Sequence, residues 1–507
     1  MATTDTAEDS REGSAAVPSA VAAVGARRGW PAVRQPSGFA ELHGAMLRLE
    51  DEFDLLSRSI GGVHYWPLVR ATAFSVLMHR LFARRPWPAS VREPLFLRGL
   101  RELPVTAAGL GAWRLWTRGA FDTVLCPFVR KHVRDGRVVD IHSEGMLQEE
   151  AWGRVLICDR HGAAGTYRSR STRVISDGGG LRAVALFRAA LTFPRLLPAA
   201  HAEHRLLDVA SRRRLGIRWP LSAVNLAVRA AFFREDRRVM RELMRAKQVT
   251  RLVSVGYHGG AVAAALDLGV RCVELQHGVI SPYDLLHHYP GRPDVPYSPQ
   301  FFAVFGRYWA ERIAFPRGTA TVVVGSDNLY RAELRATAKV PHRVFVASQA
   351  DVGARLFDAV VAAAGAAPEW EFVFRPHPTE HSANYRLRLS DLGCRAANLV
   401  LADPDDDVYR LLSSAEVQVG VYSTMLFEGM ALGVRTIVLE LPGWESIAPV
   451  IEMGDAVLAR CASDIASLLP TAPRARDPGA YYAAPVTSVF SAVESASSPG
   501  LDLPGNA

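Results

Sequence analysis

Apolar positions in this chain recur in two rhythms, and the two alternate regularly only beyond about residue 250. From Ala40 to about Arg84 the residues Leu42, Met46, Leu49, Phe53 and Leu56 fall at three- and four-residue steps, which predicts amphipathic helix. Short apolar runs at Thr123 to Cys126, Val138 to Ile141 and Val155 to Cys158 predict buried strands, and a long helix is expected from about Leu221 to Ala246. Strand signals then recur at Leu252 to Val255, Val270 to Leu275, Phe301 to Phe305 and Thr321 to Val324. After a break near Arg331 to Pro341 they resume at Arg343 to Gln349, Glu371 to Arg375, Leu399 to Leu401, Glu416 to Val419 and Thr436 to Val438-Leu439. Strands separated by helical patterns imply parallel sheets covered on both faces. Two such series predict an α/β protein of two doubly wound, Rossmann-like domains facing a cleft, with a helical N-terminal extension.

The corresponding division is a disordered tail over 1–36, the helical extension over 37–120, an N-terminal acceptor-side domain over 121–335, a C-terminal nucleotide-donor domain over 336–487, and a flexible tail over 488–507. With 507 residues, 49% hydrophobic and 22% charged, the composition is that of a globular chain able to bury more than one core. The most apolar window, Leu181 to Ala200, is interrupted by Arg182, Arg188 and Arg195 and by Pro194 and Pro198, so a spanning helix is not expected there. The early acids of the N-terminus argue against a secretory signal. Five scattered cysteines without CxxC spacing fit a reducing cytoplasm and offer no structural metal site.

The net charge of +8 comes mainly from the N-terminal half, at Arg84-Arg85, Arg98, Arg101, Arg212-Arg213-Arg214 and Arg234 to Arg245. No helix-turn-helix, zinc finger or RNP signature accompanies it, so nucleic acid is the weakest partner. A phosphorylated substrate, or peripheral contact with an anionic membrane at the inner face of the plasma membrane, accounts for the charge better. Solvated helix faces rich in arginine account for it equally. The segment Arg84 to Arg118, with Trp87, Trp113 and Trp116, reads as a packed connector, with a membrane-interface role as the alternative.

Three motifs carry chemistry, each just past a strand, on the rim where open α/β sheets bind ligands. Arg375-Pro376-His377-Pro378 presents a guanidinium fork and an imidazole on a backbone stiffened by two prolines, a pairing suited to phosphate. Tyr422-Ser423-Thr424 opens a helix whose free N–H groups, dipole and hydroxyls make an anion site, and Glu428 follows one turn later, where a carboxylate could take ribose hydroxyls. Gln276-His277-Gly278 is the candidate reacting centre: His277 has the intrinsic pKa of a general base, and Gly278 allows close backbone approach. His288 and Tyr289, beyond Asp284 and His287, are candidates for positioning substrate; alternation points His287 and His288 apart, against a metal site. The acidic tract Asp403 to Asp407 reads as an N-cap for the helix beginning at Val408.

These segments, with Phe305-Gly306-Arg307-Tyr308-Trp309 and Phe427-Glu428, resemble bacterial surface and capsule polysaccharide glycosyltransferases of the GT-B type. More distantly they resemble CDP-polyol phosphotransferases and bacterial sialyl- and polysialyltransferases. The resemblance spans about Leu252 to Ile451 and barely touches the first 120 residues. It implies that His377, Ser423 and Thr424, with Arg375 and Glu428, hold the phosphate and ribose of a nucleotide-sugar co-substrate, and that His277 acts as base. The expected reaction is an inverting, metal-independent transfer of a sugar to a surface polysaccharide or glycolipid acceptor, with no cofactor. Polyol-phosphate transfer from a CDP-polyol and UDP-hexosamine 2-epimerisation are the alternative activities. A membrane-peripheral assembly scaffold is the non-enzymatic one.

Overall fold

The structure is a computed structural model that describes residues 35–82, 119–129, 132–134, 137–148, 150–159, 174–177, 180–392, 397–403 and 406–497. The tail before residue 35, the tryptophan-rich connector and Cys394 lie outside the described residues.

Two parallel sheets dominate. The first contains β1 (Thr123–Cys126), β2 (Val155–Cys158), β3 (Val174–Asp177), β4 (Arg251–Val255), β5 (Arg271–Leu275), β6 (Phe301–Val304) and β7 (Ala320–Val323), in the spatial order β3-β2-β1-β4-β5-β6-β7. The second contains β8 (Arg343–Ala347), β9 (Glu371–Arg375), β10 (Leu399–Leu401), β11 (Val417–Gly420), β12 (Arg435–Leu439) and β13 (Val457–Ala459), ordered β10-β9-β8-β11-β12-β13. All neighbours within them pair in parallel. The six-stranded sheet, and the first six strands of the other, follow the Rossmann order, with the strand order reversing between β1 and β4 and between β8 and β11.

The strands read as continuous apolar runs because both faces are covered. Val124, Cys126, Leu156, Leu252 and Cys272 pack on one side, where the helix Ala223–Ala246 lies; Leu125, Ile157, Val253, Val255 and Leu275 pack on the other. Ser222 caps that helix by accepting from Asn225 N at 3.2 Å. In the second domain Val344, Val346, Phe372, Phe374, Val417 and Val419 build the main core.

Four features differ from the sequence reading. The run at Val138 to Ile141 gives a strand over Arg137–Val139 that pairs antiparallel with His132–Arg134 in a separate ribbon, outside the main sheet. The amphipathic extension is two helices, Phe39–Glu52 and Trp66–Phe82, separated by a small hairpin at Ser59–His64. The C-terminal stretch expected to fray forms the helix Val489–Ser497, because Val489, Phe490 and Val493 bury themselves under the first sheet, with the Phe490 ring 5.2 Å from Trp152. The chain thus returns to the N-terminal domain after completing the second. Finally, Leu181–Leu215, two helices joined by the 3₁₀ turn Phe193–Leu196, is long and apolar enough to cross a membrane by length and composition alone.

An apolar layer joins the two domains. Trp309, Tyr308 and Phe305 of the first meet Phe427, Leu426 and Met430 of the second, with Tyr481 between them. The Trp309 and Phe427 rings stand 4.7 Å apart, and Trp309 Nε1 donates to Tyr481 O at 2.7 Å. Gly306 is required here: a Cβ would lie 2.2 Å from Ala480 O, inside hard contact.

Candidate functional site

The carboxyl ends of the two sheets meet beside the motif that follows β5. Gly278 and Val279, just beyond β5, touch the first turn of the helix Thr424–Ala431, just beyond β11: Val279 N donates to Thr424 Oγ1 at 3.3 Å. The motif that follows β5 and the one that follows β11 are therefore neighbours across the domain boundary.

Gln276 explains how the first loop is held. Its backbone N–H continues the ladder to Ala303 O (2.9 Å), its Oε1 accepts from Phe305 N (2.9 Å), and its Nε2 donates to Gly278 O (2.8 Å). One buried amide thereby locks the ends of β5 and β6 and the turn after His277. The His277 ring lies over the switch point of the first sheet, 4.5 Å from the Phe128 ring beyond β1 and against Gly256 beyond β4. Gly256 has φ of 76° and a Cβ there would come within 3.2 Å of His277 Nδ1, so the residue type makes room for the imidazole. Burial, then the neighbouring His287 and His142, push His277 down to about 3, against the weaker opposing pull of Asp284 and Asp140. It is a neutral ring. Gly278 itself is not in a left-handed conformation; its Cβ position lies 3.4 Å from Thr424 Oγ1, and close packing at the domain boundary is its use.

Below His277 sits a group that sequence reading only half identified. His287 is clamped between Asp284 Oδ2 (2.8 Å from Nδ1) and Glu274 Oε1 (3.0 Å from Nε2), with its ring centre 6.4 Å from that of His277. Burial opposes charge on His287, but the two carboxylates outweigh it and raise its pKa to about 10, so both ring nitrogens donate. Asp284 also accepts from Leu286 N at 2.8 Å. Asp284 and His287 stood out in the sequence as part of a polar cluster; Glu274 did not. Its signal was available, since a carboxylate inside a buried strand, between Val273 and Leu275, must find a partner.

His288 points elsewhere, as alternation predicted: its Nδ1 accepts from Ala314 N at 3.1 Å, and burial with nearby Arg70 lowers its pKa. Tyr289 is buried with the Arg70 guanidinium 4.0 Å over its ring. Arg70 is fully buried on the helix Trp66–Phe82 and is paired with Glu50 of Phe39–Glu52 at 3.0 Å. Tyr283 packs edge-on against Phe39 and His43 at 5.2 and 5.0 Å. The helical extension thus buttresses the loop that carries His287, a long-range relation with no trace in local sequence. From the same extension His79 reaches the second domain, 3.0 Å from Asp351.

In the second domain, Ser423 caps the helix Thr424–Ala431, accepting from Met425 N at 3.3 Å, and Tyr422 N donates to Gln349 Oε1 at 2.9 Å across the β8/β11 switch point. Arg375 donates through Nη1 to Asp403 O beyond β10. His377 is held by its own loop: Thr379 N donates to its Nδ1 (3.2 Å), the Thr379 hydroxyl lies 2.7 Å from the same atom, and His377 N donates to Glu380 Oε2 (2.7 Å). Asp407 caps the next helix through Tyr409 N and Arg410 N, as the acidic tract implied. Glu428 stands apart from the open helix start. It is buried, accepts from the Tyr409 hydroxyl at 3.3 Å, and is pushed up to about 7 by burial.

The two sheets and their facing carboxyl ends define an α/β protein of two Rossmann-like domains about one cleft, the GT-B-like architecture expected from sequence. No protein-family model matches the chain, and no curated protein matches it. Among solved structures it is similar to MurG of Acinetobacter baumannii (14% identity, 69% of this chain and 90% of that one, TM-score 0.38). It is similar over the same shares to a UDP-GlcNAc 2-epimerase from Neisseria meningitidis bound to UDP-GlcNAc (12%, TM-score 0.40). The spinosyn rhamnosyltransferase SpnG complexed with thymidine diphosphate is a third (15%, 69% and 91%, TM-score 0.39).

Proposed function

We propose that the chain is a glycosyltransferase that moves a sugar from a nucleotide-activated donor to a hydroxyl of a surface polysaccharide or glycolipid, without a metal or cofactor. The observation that carries this reading is the junction of the His277 loop with the helix start at Ser423-Thr424. It brings the residues just after His277, a ring whose pKa burial lowers, against a capped helix N-terminus, with Arg375 ending β9 and His377 just beyond it, two strands from β11 in the same sheet. Helix N–H groups, a guanidinium and imidazoles suit the oxygens of a nucleotide phosphate. In the reaction the acceptor oxygen bonds to the anomeric carbon while that carbon's bond to the phosphate oxygen breaks. The bonding pair leaves with the nucleotide, the hydroxyl proton passes to a base in the cleft, and the single displacement inverts the anomeric centre. Arg375, His377, Ser423 and Thr424 stabilise the departing phosphate. Gln276 holds the acceptor-side loop in shape, His288 and Tyr289 support that loop from beneath, and Glu428, buried one turn into the donor-side helix, supports the donor side.

The test is incubation with CMP-, CDP-, UDP- and GDP-activated donors, with and without glycan or lipid-linked acceptors. Nucleotide release that depends on acceptor is expected. Epimer formed from a UDP-hexosamine alone would replace this reading with the epimerase, polyol-phosphate transfer from a CDP-polyol would replace it with the phosphotransferase, and the absence of any nucleotide-induced thermal shift would favour the scaffold.

Work at the cytoplasmic face of a membrane belongs to the same proposal. The helix Gly180–Thr192 exposes Val184, Phe187 and Leu191 on one face, Phe187 at 62% and Leu191 at 63%. Exposed Arg195, Arg205 and Arg218 follow with no carboxylate partner among the described residues. An apolar stripe followed along the chain by these cations fits an anionic bilayer. Vesicles containing phosphatidylglycerol should pull down the chain, and the double variant F187E/L191E should stay in solution; equal recovery of both removes the membrane arm alone.

A further inference from the structure

We propose that His277 serves the leaving phosphate as a hydrogen-bond donor through Nε2–H, and is not the base that receives the acceptor's proton. The inference deepens the nucleotide-sugar reading and rests on it for the identity of the anion.

A neutral imidazole carries one proton, and the nitrogen that holds it is decided by what the other nitrogen meets. His277 Nδ1 is enclosed beside Gly256 and the Phe128 ring and has no hydrogen-bond partner; Nε2 is not enclosed. An orphaned buried N–H is rarer in proteins than an under-satisfied acceptor. Nδ1 therefore keeps a lone pair, and the proton sits on Nε2. A histidine base of the Ser-His-Asp kind is built the opposite way, with an acceptor on Nδ1–H so that Nε2 offers its lone pair to the substrate.

The surroundings explain why His277 lacks that acceptor. Four titratable groups face it: His287, His142, Asp284 and Asp140. Asp284 is engaged by His287 and Leu286 N, and Glu274 beyond it by the other nitrogen of His287. Asp140 accepts from Phe128 N (3.0 Å), His142 N (3.1 Å) and Ser143 Oγ (3.1 Å). The carboxylates that could orient a basic His277 are bound to other groups. Burial beside the cationic His287 also leaves the ring with little affinity for a proton, the reverse of what a base near neutral pH requires.

What Nε2–H can meet follows from the chain direction. Gly278 and Val279, the next residues, abut Thr424 at the start of the helix Thr424–Ala431. The loop that carries His277 thus meets the helix start within two residues, and an acceptor-only anion such as a nucleotide phosphate bound there can take bonds from Nε2–H and from the helix N–H groups together. His277 neither gains nor loses a proton in this role.

Two measurements decide it. First, two-bond ¹H–¹⁵N correlation of the full chain labelled with ¹⁵N-histidine at pH 7, with His277→Gln for assignment, reads the tautomer without ligand. The Nε2–H form is expected; the Nδ1–H form or an imidazolium would overturn the proposal. Second, affinity is measured for whichever of CMP, CDP, UDP or GDP gives the largest thermal shift. His277→Ala should weaken it roughly 10- to 100-fold, the cost of a hydrogen bond to a charged group. His277→Gln, whose amide can donate but cannot serve as a base, should stay within about threefold. Wild-type affinity in His277→Ala would refute the donor role. Should no nucleotide bind the native protein, the transferase reading fails, and the tautomer is still decided by the first measurement.

Discussion

His277 and His377 each follow a parallel strand at the same rim, yet the chain holds them in contrasting ways. His377 is braced by hydrogen bonds from its own loop, with Thr379 N donating to Nδ1, and it sits at the surface. His277 has no such brace; it is held by burial, by the Phe128 ring and by a neighbouring histidine fixed between two carboxylates. In both, Nδ1 is turned to the protein: it accepts from Thr379 N in His377 and lies beside Gly256 in His277. The difference lies in what a substitution disturbs: a loop that refolds locally in one case, a buried charge cluster in the other.

The largest expected consequence concerns that cluster. His287→Leu leaves Glu274 and Asp284 without their shared cation and should destabilise folding by about 3–5 kcal/mol, whereas His377→Ala should cost under about 0.5 kcal/mol. Urea unfolding of the two variants checks this, and equal losses would erase the contrast. Next is Trp309→Ala in the layer between domains, expected to cost about 3–5 kcal/mol for its lost volume. Both domains should lose stability together, as seen by fluorescence and limited proteolysis.

The adjacent histidines should give pH dependences of opposite sign. His287 is raised from 6.5 to about 10, so its contribution is complete below about pH 6.5 and is lost as pH rises through 10. His277 is lowered from 6.5 to about 3, so its contribution is present above 6.5 and is lost as pH falls towards 3. Unfolding midpoints across pH should lose most of the alkaline decline in His287→Gln and part of the acidic decline in His277→Gln. Smaller still, Thr424→Val removes the acceptor for Val279 N and should cost about 1 kcal/mol while weakening nucleotide binding.

Much of this was legible in sequence, for reasons particular residues show. Thr123–Cys126, Val155–Cys158 and Glu371–Arg375 are strands where apolar runs placed them, because strands buried on both faces need no partner information to be recognised; the edge strand Leu399–Leu401, with Val400 exposed, is also where its run placed it. Ser423 and Asp407 cap helices where local chemistry said they would. The edge strand Val174–Asp177 was missed: four residues ending in an acid give little signal. Equally hidden were the helix Val489–Ser497, whose apolar face packs against Trp152 more than 300 residues earlier, and the support of Tyr289 by Arg70. These depend on distant surfaces meeting, which periodicity does not encode.

The central claim is that loops from both domains grip one phosphate. A double-mutant cycle on nucleotide affinity, combining His277→Ala with Arg375→Ala, tests it most directly. Groups that share an anion should couple by more than about 0.5 kcal/mol, the double variant losing an amount of binding that differs from the sum of the single losses. Strict additivity would mean the two residues bind nothing in common and would contradict the account.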